Sequence, residues 1–280
     1  MTDYFDYDPL VLARMVERDL RRRASKRTRR SADGNHPFLE RLRKHLYASY
    51  RKPRERTTLD AIADLIAGGN ARGGVDAVVT FNFDDLLERA LARRSVAVQS
   101  VASGNRQTRA GVKVIHAHGY LPRVGPLWRR DIVFTEPDYH HLTESVFHWG
   151  LSEIVERLRK NTVLFIGLSM VDPSLRRLLD ASRNSKIPPH WQIQRRHDIR
   201  DHEMAEAMAE VERRARRYAK LLGSGRDETK SPRALEDSIR AALEQADSYD
   251  REVFEGMGVK TIWVNGFAEI ADIVTAIARR

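Results

Sequence analysis

Short β-branched, apolar runs alternate with amphipathic stretches along most of this chain, a pattern that predicts strands and helices in turn. The opening segment is helical instead. The spacing of Leu10, Ala13, Val16 and Leu20 predicts a helix over 9–23, and a second is expected over 38–47 after a loop at 31–35. A third is expected over 59–67, capped by Thr58 and stopped by Gly68 and Gly69. The pattern then changes at Val75-Asp76-Ala77-Val78-Val79-Thr80-Phe81, the first expected strand, which is followed by helical spacing over 84–94. Further strands are expected at 96–101, 112–115, 131–134, 162–167 and 258–264. Near-continuous apolar strands separated by helices predict an α/β fold with a Rossmann-like parallel sheet and helices on both faces. Such sheets take ligands at the carboxyl ends of their strands. From 196 to 248 the chain is strongly charged, has few large apolar residues and contains the linker-like Gly223-Ser224-Gly225-Arg226-Asp227, so a charged helical insertion is expected there. Residues 1–280 read as a single domain, with 1–58 as a basic helical N-terminal segment.

Composition narrows the classes. A chain of 280 residues with 41% hydrophobic residues can bury a substantial core, and it has no cysteine for a disulfide framework or a thiolate zinc site. No apolar run approaches the roughly 18 residues that a membrane helix needs. The start, Met1-Thr2-Asp3-Tyr4-Phe5-Asp6, is acidic where a signal peptide would be basic, so a cytoplasmic location is expected. The net charge of +10 points to an anionic partner. Its densest part is the cluster Arg18, Arg21, Arg22, Arg23, Lys26, Arg27, Arg29 and Arg30, opposed only by Asp19. That cluster fits either nucleic-acid contact through phosphates or a solvated helix end, and no aromatic residues interleave with it as stacking would require.

Three expected strand ends carry polar groups. Thr80-Phe81-Asn82-Phe83-Asp84-Asp85 runs from a strand into a helix, so Asn82 or Asp84 fits either a cap or a ligand contact, and Asp85 is expected on the helix exterior. In Val114-Ile115-His116-Ala117-His118-Gly119 the two histidines share a face by strand alternation. A third metal ligand is not evident, and a histidine followed by glycine at a strand end suits a general base better. Phe165-Ile166-Gly167-Leu168-Ser169 permits close backbone approach at Gly167, and Asp172-Pro173 opens a helix whose free N–H groups favour anions. His140, His141 and His148 are expected on the surface of an intervening helix.

In combination, strand-Thr-x-Asn-x-Asp, strand-His-Gly and strand-Gly-x-Ser with an aspartate shortly after resemble the sirtuin-like family, in particular its bacterial antiphage-defence branch. The resemblance covers about 59–180 and the final strand and helix at 259–278. It implies Asn82 as the catalytic asparagine that holds the attacking water and the nicotinamide ribose, and His118 as the catalytic histidine at the ribose hydroxyls. Thr80 and Asp84 fall with the cofactor contacts, Asp84 toward the nicotinamide carboxamide. Gly167 and Ser169 match the turn over the adenosine side, and Asn265 the adenine contact. The implied activity is NAD glycohydrolysis to nicotinamide and ADP-ribose, used for NAD depletion in antiphage defence, with NAD as substrate and no metal. A separate sensor or activator protein is implied, as is a homo-oligomer, for which 196–248 is the preferred contact surface. Two departures stand out. The four-cysteine zinc module of sirtuin deacetylases is absent, so protein deacetylation is not implied. The family's Gly-Ala-Gly-x-Ser turn has no counterpart before Leu59, so its strand is either outside this chain or lost. The alternative is therefore a non-catalytic sirtuin-like module that binds a partner protein or nucleic acid.

Overall fold

The computed structural model describes residues 9–23, 37–48, 57–69, 74–102, 111–125, 132–144, 149–168, 170, 173–183, 188–197, 204, 208–214, 217 and 232–279. The expected loop at 31–35 and the linker at 223–227 lie outside them. The chain divides into two compact units, 1–160 with 172–182 and 268–280, and 161–171 with 183–267. Each carries a parallel sheet flanked by helices, the Rossmann-like α/β architecture that the alternating pattern predicts.

In the first unit, helices α1 (Pro9–Arg23), α2 (Pro37–Ala48) and α3 (Thr58–Gly68) precede strand β1 (Ala77–Thr80). Helix α4 (Leu86–Ala92) then leads to β2 (Val98–Val101) and β3 (Val112–His116). The sheet order is β1-β3-β2, all parallel, with Thr80 opposite His116. Helices α5 (Glu136–Glu144), α6 (Trp149–Lys160) and α7 (Pro173–Ser182) follow, and α9 (Glu269–Ala278) packs on α3.

Branched side chains drive one face of this sheet inward. Val114 is fully buried with Ala63, Ile66, Ala90 and Leu91, and Val78, Val98 and Val112 pack around them, so α3 and α4 cover that face. A second cluster of Phe38, Leu39, Leu121 and Ile132, joined by Leu20, Phe83 and Phe134, ties α1 and α2 to the segments that leave the strand ends.

The first helix has the expected bounds but a different inner stripe. Val16 is half exposed while Glu17 is buried, so the side turned inward runs Leu10, Ala13, Glu17, Leu20. The shift from i+3 to i+4 keeps α1 seated on α2 and α5, and Arg14 pairs with Glu136 on α5 at 3.2 Å.

The third helix is capped one residue earlier than expected. Thr57 rather than Thr58 is the cap: its hydroxyl accepts from Asp60 N–H, and the Asp60 carboxylate reaches back to Thr57 N–H in a reciprocal capping box. Thr57→Ala is expected to lower stability by about 1 kcal/mol. Urea unfolding checks this as a shift of midpoint at unchanged slope.

The strand expected at 131–134 does not form. Asp131 lies outside the described residues and 132–134 have no ladder. Their apolar side chains were the misleading signal: Ile132 and Val133 are buried, but Val133 N–H donates to the carbonyl of His118 at 2.8 Å instead of to a strand.

The second unit holds strands β4 (Leu164–Ile166), β5 (His190–Arg195) and β6 (Val259–Val264) in that order, all parallel. Parallel neighbours need a long crossover, and the charged stretch after β5 supplies it. Its helix α8 (Pro232–Gly256) packs on β6 through the buried Phe254, and it ends well past the expected 248. Central strand β5 is one that hydropathy misses, because His190, Gln192 and Gln194 interrupt its apolar positions. Gln192 is nonetheless buried, and its amide donates to Thr261 Oγ1 on β6 at 2.8 Å.

Among the described residues no helix is long and apolar enough to cross a membrane, and no group of three or more His, Cys, Asp or Glu is placed to hold a metal ion.

Candidate functional site

The parallel pairing of β1 with β3 sets two strand tips side by side. Beyond the Thr80–His116 pair, Ala117 N–H donates to the carbonyl of Thr80 at 3.0 Å, and both chains then turn away from the sheet. Asn82 lies two residues past Thr80 and His118 two residues past His116.

Asn82 is exposed, and among the described residues its side-chain amide makes no hydrogen bond. Its backbone is held on both sides. Thr80 Oγ1 accepts the Asn82 N–H at 3.1 Å, and His116 Nδ1 lies 2.9 Å from the Asn82 carbonyl. The free amide therefore projects from a fixed turn.

His118 is half buried. Phe81 and Tyr139 meet its ring edge-on, with centroids 4.6 Å and 5.4 Å away. These contacts hold the imidazole plane. The turn after β3 needs its glycine: Gly119 sits at φ +102°, in the left-handed region, while its N–H donates to the carbonyl of His116 at 3.0 Å.

The expected face-sharing of His116 and His118 does not occur, because the strand ends at His116 and alternation ends with it. His116 is fully buried, with Nε2 2.7 Å from Glu88 Oε1 on α4 and its ring against Tyr120 at 4.3 Å.

The two aspartates after Asn82 separate in role. Asp84 Oδ1 accepts the Leu86 N–H at 3.1 Å, which starts α4. Asp85 is turned inward, not onto the helix exterior as expected. Its carboxylate contacts Tyr47 Oη at 3.1 Å and accepts Arg123 N–H at 3.1 Å, so it ties α2 and the post-β3 segment to the start of α4. The partly buried Tyr47 hydroxyl and the Arg123 N–H both donate to it there, which offsets its burial.

Burial, with the charge of Asp85 beside it, pushes the Tyr47 phenol up. Burial and the charge of Glu88 push the Tyr120 phenol up to about 12. A raised acid binds its proton more tightly when folded, so the stability it contributes is complete below the unfolded value of 10.0 and is lost as pH rises toward 12. Tyr120→Phe is expected to flatten the fall in stability between pH 10 and 12, a slope readable by urea unfolding across that range.

In the second unit, Gly167 and Asn265 follow the carboxyl ends of β4 and β6, with β5 between those strands. Gly167 is exposed at φ +67°, and the space a Cβ would take there is open. Asn265 is exposed. Ser169 and Asp172 lie outside the described residues. The structure thus gathers Thr80, Asn82, Asp84 and His118 at one end of the first unit's sheet, and Gly167 and Asn265 at the strand ends of the other.

Of the other sequence candidates, His140 is exposed on α5, whereas the side chain of His141 and all of His148 lie outside the described residues. Arg18, Arg22 and Arg23 are exposed on α1, with Arg23 paired to Asp19, and Lys26 to Arg30 lie outside the described residues.

A family model described as "SIR2-like domain" matches residues 76–239, more than half of the chain. The chain belongs to the SIR2-like family. The match begins just before β1 and includes both polar strand ends of the first unit as well as β4 and β5. A comparison with curated proteins gives no match. SIR2-like membership implies NAD involvement, since domains of this family are commonly NAD-dependent enzymes.

The Asn82 and His118 signals were legible as polar residues at strand ends. Glu88, Ser100 and Tyr120, which gather around His116, were not, because nothing in their spacing distinguishes them from helix, strand and loop residues of an ordinary surface.

Proposed function

We propose that this SIR2-like chain hydrolyses NAD to nicotinamide and ADP-ribose, with Asn82 and His118 as its catalytic residues. The observation that carries the reading is the pairing of an exposed Asn82 amide, unbonded among the described residues, with a ring-held His118 on neighbouring strand tips. Water supplies the hydroxyl that ends on the ribose, nicotinamide leaves neutral, and one proton is released. The leaving group starts as a cation, so no strong general acid is needed; an oriented water and a base near the sugar suffice. The Asn82 amide has a carbonyl oxygen and an N–H₂ group to orient that water and the ribose. His118 takes the proton, and its edge contacts with Phe81 and Tyr139 limit the ring to one plane.

The proposal includes Thr80, Asp84, Gly167, Ser169 and Asn265 as dinucleotide contacts. For Gly167 the support is its left-handed backbone with open space beside it. For Thr80 the hydroxyl also holds the Asn82 turn, and Asp84 also starts α4. The wider reading is NAD depletion in antiphage defence, triggered by a separate sensor protein, with homo-oligomerisation through 196–248. The test is nicotinamide release from NAD by the full chain beside Asn82→Ala and His118→Ala. Equal inertness of all three, with the activating partner supplied, would favour the non-catalytic binding module.

A further inference from the structure

Behind Asn82, the buried His116 joins the partly buried Glu88 and Tyr120 and the exposed Ser100 in a connected set that the reaction does not itself use. His116 is fully buried at the end of β3, between Asn82 on one side and Glu88 on the other. The Asn82 carbonyl can only accept, so His116 Nδ1 carries a hydrogen and donates it. On the far side, Nε2 lies 2.7 Å from Glu88 Oε1. Ser100 Oγ donates to the same oxygen at 2.9 Å. Tyr120 closes the set by packing its ring on the imidazole at 4.3 Å.

This set is poorly built as a stabiliser. Glu88 Oε2 is buried and among the described residues has no hydrogen-bond partner, so half of the carboxylate's capacity is unused. A buried pair of this kind often contributes no more to stability than apolar side chains of the same volume. What it does achieve is geometric. With the Asn82 N–H held by Thr80 and the Asn82 carbonyl held by His116, the peptide groups on both sides of Asn82 are fixed, and only its side-chain torsions remain free.

We infer that His116, oriented by Glu88, is a positioning residue that locks the Asn82 turn so that the catalytic amide is presented in one orientation. The inference rests on the NAD-hydrolysis reading for its kinetic consequence, but not for its structural one. Displacement of a reacting group by about 1 Å can cost about 100-fold in rate, and an amide that only orients water and ribose affects kcat more than KM.

Two substitutions of similar size separate positioning from simple space-filling. In His116→Asn the amide nitrogen stands where Nδ1 stood and can still donate to the Asn82 carbonyl. In His116→Gln the amide reaches toward Glu88 and the bond to Asn82 is lost, although the larger side chain fills the site better. The full-length proteins are compared by nicotinamide release and by the amide resonances of Asn82 and Phe83 in NAD-free protein. His116→Gln is expected to lower kcat about 10- to 100-fold with KM within about threefold, and to shift both resonances. His116→Asn is expected to restore kcat to within about threefold and to leave the resonances near their wild-type positions.

Equal behaviour of the two variants in both measurements overturns the inference. If the wild type releases no nicotinamide with the activating partner supplied, the NAD reading fails, and the resonances alone decide positioning: different shifts support it and identical ones overturn it. If His116→Gln does not fold, the Nδ1–H signal of wild-type His116 decides. Slow exchange with a cross-peak to Phe83 N–H supports the lock, and a signal lost to solvent exchange overturns it.

Discussion

Asn82→Ala is expected to lower nicotinamide release by about 100-fold or more while leaving the unfolding midpoint unchanged. The reason for the second half is structural. The hydrogen bonds Asn82 makes go through its backbone, to Thr80 and His116, and alanine keeps them. The amide that is removed is exposed and unbonded among the described residues, so the fold loses nothing by its absence. His118→Ala is expected to reduce the rate by about 100- to 10,000-fold, the range for removal of a general base. It also strips edge contacts from Phe81 and Tyr139, so His118→Gln is the fairer control for packing. Release of nicotinamide by the purified chain, followed over time at fixed NAD, reads both effects. An Asn82→Ala protein as active as the wild type would remove the foundation of the proposed reaction.

Asp85→Ala is expected to destabilise the protein by about 2–4 kcal/mol, far more than Asp84→Ala at the neighbouring position. Asp85 is buried and serves two partners, the Tyr47 hydroxyl and the Arg123 N–H. Removing the carboxylate takes one acceptor from each of them. The Arg123 N–H loses its partner outright, whereas Tyr47 keeps the Leu121 carbonyl at 2.8 Å. Asp84 contributes one acceptor to the Leu86 N–H at the open start of a helix, where water substitutes for it, so its loss is expected to cost about 1 kcal/mol. Urea unfolding of the two alanine variants checks the contrast. Asp85→Ala within about 0.5 kcal/mol of wild type would show that water reaches these groups.

Much of the candidate site is legible in the sequence. Asn82, His118 and Gly167 each follow an apolar run with a turn behind it, and a parallel sheet brings such residues to its carboxyl edge whatever the details of packing. The supporting layer was not readable. Glu88 lies four residues after Asp84 on a short helix, and Ser100 on β2 is separated from it in sequence, yet Glu88 meets His116 and Ser100 bonds the same Glu88 oxygen. Only the strand order β1-β3-β2, which inserts the later strand between the earlier two, makes that meeting occur.

Local sequence by itself determined the elements whose signal is local: the helix over 9–23, the strands expected at 96–101, 112–115 and 258–264 that form at 98–101, 112–116 and 259–264, and the parallel α/β class that their alternation requires. It did so because side-chain periodicity and turn chemistry act within a few residues. Tertiary structure alone decided that polar His190–Arg195 is a strand, that apolar 132–134 is not, that Glu17 faces inward in place of Val16, and that Asp85 and His116 are buried partners of distant groups. Each of those outcomes depends on which donors and acceptors arrive from elsewhere in the chain, and burial is tolerated wherever a partner is waiting.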